Sequence, residues 1–133
     1  MNMNDCIKIH KENNLGFSSK LPKLILKFWY MWQTYINRSC VLITHKNASF
    51  ILYDINRNEI VVMCTDKKHQ GKGYGKEILK KLPNENIMVI HRKDHEQSLN
   101  FYRKSGFKEI MALANNQVLS IKNKKMKNYV KNE

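Results

Sequence analysis

His69-Gln70-Gly71-Lys72-Gly73-Tyr74-Gly75-Lys76 lies between a strand-like run, Glu59 to Thr65, and a helix-like one, Tyr74 to Leu82. Three glycines in five residues let the backbone turn sharply and approach a ligand closely, and amide N–H groups at a helix start converge on an anion. A phosphate-bearing ligand is the first expectation. The two commonest glycine loops do not fit it. A dinucleotide fingerprint, G-x-G-x-x-G, begun at Gly71 needs glycine where Lys76 stands, and begun at Gly73 it needs glycine where Ile78 stands. A triphosphate loop needs glycine at Gln70 and Ser or Thr at Glu77. What remains is Gln70-x-x-Gly73-x-Gly75.

The flanks read as a mixed α/β (α+β) domain. Val41 to Thr44, Phe50 to Asp54 and Glu59 to Thr65 form a three-strand meander, separated by turns at His45-Lys46-Asn47 and Asn56-Arg57-Asn58. Downstream, Pro83 disfavours helix at Leu82 and stops the helix begun at Tyr74. Ile87 to Ile90 reads as a buried strand, Asp94 with Gln97 resembles a capping box, and Gly106 suits a helix C-terminal cap. Lys108 to Met111 and Val118 to Ile121 complete the sheet. Before the meander, Cys6 to His10 reads as a short strand and Asn13 to Ser19 as a loop. Leu21, Leu24, Ile25, Phe28, Trp29, Trp32 and Ile36 then recur at helical spacing, with Ser19 and Pro22 as start signals. This stripe is expected to face the core, on one helix or a broken pair. Without internal repeats or a Pro- or Ser-rich linker, residues 1–121 read as one domain and residues 122–133 as a basic, flexible tail.

Gln70-x-x-Gly73-x-Gly75 resembles the pyrophosphate loop of the GNAT family of N-acetyltransferases, Q/R-x-x-G-x-G/A between a strand and the following helix. Leu99-Asn100-Phe101-Tyr102-Arg103-Lys104-Ser105-Gly106-Phe107 is similar to the family's FY-x-x-x-GF segment, and it follows at about the family's distance of thirty residues. The resemblance covers Glu59 to Ile110. It implies a single GNAT-like domain with a mixed sheet of about six to seven strands, flanking helices, and splayed central strands holding acetyl-CoA.

Residue by residue, the resemblance assigns the backbone amides of Gly71, Lys72, Gly73, Tyr74, Gly75 and Lys76, with Gln70, to the pyrophosphate. It assigns the strand end at Met63, Cys64 and Thr65 to the pantetheine arm. Thr65-Asp66-Lys67 stands where relatives often have Val-Asp-Pro, a minor departure for backbone roles. His95 stands where many members carry an asparagine that contacts the arm, and a histidine can donate to the same carbonyl. Glu59 lies at the distance before the loop where the histone-acetylating branch carries its general base. An amine needs one: with a pKa of ~10.4 it is almost wholly protonated at neutral pH. Tyr102 matches the tyrosine placed near the sulfur, where it protonates the departing thiolate. The plainer reading of Glu59 is a solvated strand start, and that of Tyr102 is an aromatic packed under the sheet.

Composition narrows the function classes. The chain has 133 residues, with 24 Lys plus Arg against 11 Asp plus Glu, a net charge of +13 and a pI near 9.8. Such a surplus predicts a polyanionic partner beyond the cofactor, or only a solvated basic surface. Lys- and Asn-rich composition also fits an AT-rich genome, which supplies lysines without functional demand. Cys6, Cys40 and Cys64 lack metal-ligand spacing and read as reduced thiols in the cytoplasm. Cys64 sits in a buried-looking strand, as core rather than nucleophile. His91 and His95 need not share a face, so no metal is expected, and His69 reads as a loop histidine. No membrane partner is expected either.

The leading expectation is acetyl transfer from acetyl-CoA to a primary amine of a small molecule or protein. The alternatives are acetylation of an amine on a nucleic-acid-associated acceptor (a modified base, an aminoacyl-tRNA, a ribosomal protein) or a non-catalytic module binding CoA or nucleic acid. A positive cleft repels polyamines and basic tails, which lowers them as acceptors. A homodimer through sheet edges is a further possibility.

Overall fold

A computed structural model describes residues 1–13, 17–37, 39–82 and 86–123. Pro83, residues 14–16 of the expected loop, and residues 124–133 of the expected tail lie outside the described residues. Strands β1 (Cys40–His45), β2 (Ser49–Asp54), β3 (Glu59–Thr65), β4 (Asn86–Arg92), β5 (Lys108–Leu113) and β6 (Gln117–Asn123) form one sheet in the order β1-β2-β3-β4-β6-β5. Lys122 and Asn123, expected in the tail, close β6. The meander is antiparallel, β3 and β4 are parallel, and β4-β6-β5 is antiparallel again.

Side-chain alternation sends the two faces of the sheet into separate cores. Phe50, Leu52, Val62 and Cys64 pack on helices α1 (Met3–Glu12) and α2 (Lys23–Met31). Ile51, Tyr53, Ile60, Ile87 and Val89 pack on α3 (Tyr74–Leu79) and α4 (Glu96–Lys104).

Three sequence expectations need correction. Cys6 to His10 is helix, not strand: Ile7-Lys8-Ile9 alternates, but Met3, Cys6, Ile7 and His10 fall on one helical face. Asn2 and Asp5 close a reciprocal capping box, which satisfies free N–H groups at the helix start.

The apolar stripe of α2 is the second. The helix turns Leu26 and Tyr30 inward and leaves Leu24, Ile25, Phe28, Trp32 and Ile36 exposed. Apolar residues occupy more than half of its circumference, so periodicity alone does not fix the buried side. The buried Tyr30 hydroxyl decides it, meeting His10 Nδ1 at 2.7 Å inside the core. The helix continues as a π turn over Trp32–Ile36, with Asn37 N–H donating to the Trp32 carbonyl at 2.8 Å.

The third correction is at α4. Asp94 does not cap the helix; its carboxylate takes the Arg92 guanidinium through two bonds of 2.9 and 2.8 Å. His95 caps instead, Nδ1 accepting from Ser98 N–H at 3.3 Å. At the other end the chain follows the expectation. Gly106 has φ +94, its N–H donates to the Arg103 carbonyl, and Phe107 N–H donates to Tyr102, which is the Schellman arrangement.

Candidate active site

β3 and β4 pair in register only at Glu59 with Met88 and Ile60 with Val89. Beyond that pair they part, and the reason lies partly in β3 itself. Leu52 pairs with Val62 but the next residue, Tyr53, pairs with Ile60, so Val61 is the extra residue of a β-bulge. A bulge bends and twists its strand. The V-shaped opening holds a cavity of about 210 Å³, lined by His10, Val61, Met63, Ile90, His91, Arg92, His95, Ser98 and Tyr102 among others. Backbone groups of β3 on this side have no strand partner after Ile60, which suits an extended ligand bonding to the strand edge.

At the far end of β3, Asp66 accepts from Lys68 N–H and starts a 3-10 turn that leads into the glycine loop. Gly71 and Gly73 both have φ +82, a left-handed conformation that a Cβ disfavours. Gly73 is the N-cap of α3. The Gln70 side chain is scaffolding: its Nε2 donates to Asn13 Oδ1 at 3.0 Å and to the Thr65 carbonyl at 3.1 Å. It therefore ties the loop to the end of α1. Around Tyr74 stand His45 edge-on at 5.4 Å, His69 stacked at 5.9 Å and the Lys46 ammonium at 5.3 Å. With Lys67, Lys68, Lys72 and Lys76 in the same stretch, the loop is a cationic surface with amides at its centre.

Tyr102 lines the cavity, its hydroxyl 3.9 Å from the Met63 sulfur. Burial, and then the nearby Cys64, push its pKa upward, so it stays a phenol at neutral pH. His91 packs on it with ring centroids 4.7 Å apart, and His91 Nε2 meets Ser120 Oγ at 2.8 Å.

The profile of the acetyltransferase (GNAT) domain matches residues 33–109, more than half of the chain. The protein belongs to the GNAT family. No curated protein matches its sequence. Solved structures share the fold at low identity. An acetyltransferase of the GNAT family from Staphylococcus aureus Mu50 is 16% identical, with TM-score 0.66 over 92% of this chain and 95% of that one. The PaiA N-acetyltransferase from Thermoplasma acidophilum, solved with coenzyme A, is 15% identical, with TM-score 0.63 over 90% and 91%. The ribosomal-protein-S18-alanine N-acetyltransferase from Escherichia coli is 13% identical, with TM-score 0.60 over 91% and 87%. As a member of this family the chain is an acyl-CoA-dependent N-acetyltransferase.

Of the residues singled out in its sequence, Met63, His95 and Tyr102 come together in the GNAT cavity. The loop residues Gln70 to Lys76 are not among its lining residues; they connect the end of β3 to α3. The Cys64 side chain is in the α1/α2 core, its thiol pKa raised by burial. The Thr65 carbonyl already accepts from Gln70 and Asn13. Glu59 is not among the cavity-lining residues. It begins β3 opposite Asp54, on the face of the sheet away from Tyr102. His10, His91, Arg92 and Ser98 also line the cavity. His91 is legible only as an inward position of a strand, and His10 only once α1 is recognised.

Two of these histidines give the GNAT domain an acid-sensitive fold. His10 is held at about 4 by burial first and by the Lys11 charge second. His91 is lowered too: burial leads, Glu109 and the Arg92 backbone oppose it, and Arg103 adds to it. Both rings stay neutral when folded, whereas in the unfolded chain they take up protons near their ordinary value of ~6.5. Stability is therefore full above about pH 6.5 and falls as pH drops from there toward 4, by at most about 1.4 kcal/mol per pH unit for each proton. Urea unfolding across this range should show the fall, and His10→Gln should flatten it.

Proposed function

We propose that the protein moves an acetyl group from acetyl-CoA to a primary amine of a small molecule or protein by direct attack in the β3/β4 opening. The observation that carries this reading is the parting of the two strands after Ile60 and Val89, with the Tyr102 hydroxyl beside Met63 at the opening. Loop amides from Gly71 to Lys76 hold the pyrophosphate, and the free edge of β3 around Met63 pairs with the pantetheine arm. His95 takes the place of the family asparagine. Because its Nδ1 accepts from Ser98 N–H, the neutral ring carries its proton on Nε2, a donor for an amide carbonyl.

Acetyl-CoA supplies an activated thioester. The amine nitrogen attacks the carbonyl carbon, a C–N bond forms and the C–S bond breaks. Tyr102 gives the thiolate its proton. Glu59, the family's base position, takes the amine proton through a relay of water around the Ile60 end of β3, since its side chain is on the other face of the sheet. A thiolate is already a fair leaving group, so Tyr102→Phe should lower kcat only about tenfold, with the KM for acetyl-CoA nearly unchanged. Wild-type kcat in that variant would leave Tyr102 as packing alone.

A net charge of +13 favours a second reading, in which the amine is carried by a nucleic-acid-associated acceptor. Calorimetric titration with acetyl-CoA tests the cofactor, and no heat at about tens of micromolar counts against it. Mass spectrometry of host protein, tRNA and DNA after expression then finds the acceptor. Salt-dependent nucleic-acid binding without any acetyl product would instead indicate a non-catalytic module.

A further inference from the structure

Of the large apolar side chains the described residues leave exposed, most fall on one stretch: Leu24, Ile25, Phe28, Met31, Trp32, Tyr35 and Ile36. Their spacing keeps them on one face along α2 and the π turn that continues it, and all but Met31 are more than half exposed. A contiguous apolar surface of this kind marks an interaction site. The charge around it identifies the partner. Between Glu12 and Asp54 the chain has no acidic residue, while Lys20, Lys23, Lys27, Arg38 and Lys46 are basic. Lys20 and Lys23 are exposed at the start of the helix.

We propose that this face docks on an anionic lipid bilayer, with the apolar side chains in the headgroup and acyl boundary and the flanking lysines on the lipid phosphates. A second copy of the chain fits less well, because two molecules of +13 each repel and neither has an acidic residue between Glu12 and Asp54 to meet the other's lysines. Phe, Trp and Tyr standing out along a single helix suit a deformable interface where rings sit at headgroup depth. The anionic leaflet supplies the missing charge. No described helix is long and apolar enough to cross a membrane, so the association is peripheral. None of the α2 side chains lines the β3/β4 cavity, so docking leaves the cofactor site free.

Of the chain's two tryptophans, Trp32 stands on this face and Trp29 packs against the α1/α2 core behind it, so a change in emission reports Trp32. With phosphatidylcholine vesicles containing phosphatidylglycerol, emission should shift to the blue, brominated acyl chains should quench it, and added salt should weaken the effect. Phosphatidylcholine alone should give little change. The double variant Leu24→Glu and Phe28→Glu should lower partitioning by about tenfold or more while acetyl-CoA titration stays at wild type. The proposal is overturned by an unchanged spectrum with anionic vesicles or by equal partitioning of variant and wild type. Sedimentation showing a dimer that the same double variant dissolves would also overturn it, assigning the face to a second copy.

Discussion

Gly75→Leu is expected to abolish acetyl-CoA binding and to lower the unfolding free energy by about 1–3 kcal/mol. A Cβ at Gly75 would lie 2.9 Å from Phe101 Cζ and 3.0 Å from Cε2, closer than carbon atoms approach. Phe101 is only half-buried, but its ring packs edge-on against Tyr102 at 5.4 Å, so moving it disturbs that contact. The overlap is relieved by shifting the Phe101 ring or by moving α4, which carries both Tyr102 and the capping His95. Glycine at this position thus leaves room for the Phe101 ring against the backbone of α3, whatever the ligand does. Gly73 differs. A Cβ there meets nothing within 4 Å, and only its φ of +82 opposes a side chain. Gly73→Ala should cost about 1–2 kcal/mol, stay folded, and weaken the cofactor through the altered turn. Thermal unfolding and calorimetry on the two variants separate these causes. Wild-type affinity and melting temperature in Gly75→Leu would contradict the packing argument.

The contrast shows what the sequence carries. Gln70, Lys76, Glu77 and Ile78 excluded two nucleotide loops, but the sequence could not tell a glycine needed for a left-handed turn from one packed under an aromatic ring. The meander was legible because alternation and Asn-rich turns agree; Asn47 and Asn58 do adopt positive φ. The opening between β3 and β4 followed only from the family resemblance, which implies splayed central strands; the Val61 bulge itself left no mark in the run Glu59 to Thr65. At α1 the alternation of Ile7, Lys8 and Ile9 outweighed Asn2 and Asp5, whose capping box was the better signal. At α4 the Asp94 signal lost to a neighbouring Arg92 that offers two bonds. At α2 the apolar arc was too broad to name its buried side, and Leu26 and Tyr30 took the place of the expected stripe.

Glu59→Gln should cut kcat/KM by ~10²-fold or more and move the pH dependence of transfer upward, with acetyl-CoA affinity unchanged. The half-buried carboxyl has its pKa raised, chiefly by burial and further by Asp54 opposite it, with Arg57 opposing. A raised pKa makes its carboxylate a stronger base than that of an exposed glutamate, which suits it to receive the amine proton through a water relay. The same shift has a second consequence. A carboxyl whose folded pKa lies above its unfolded one adds stability below the unfolded value and loses it as pH rises through the folded value. At neutral pH the ionised Glu59 therefore lowers stability, and a neutral glutamine of similar shape removes that cost. Rate and stability are expected to move in opposite directions in this variant: slower transfer, and an unfolding midpoint equal to or above wild type at pH 7. A glutamate that only begins a strand would leave the rate and its pH profile unchanged, and that outcome would remove Glu59 from the mechanism.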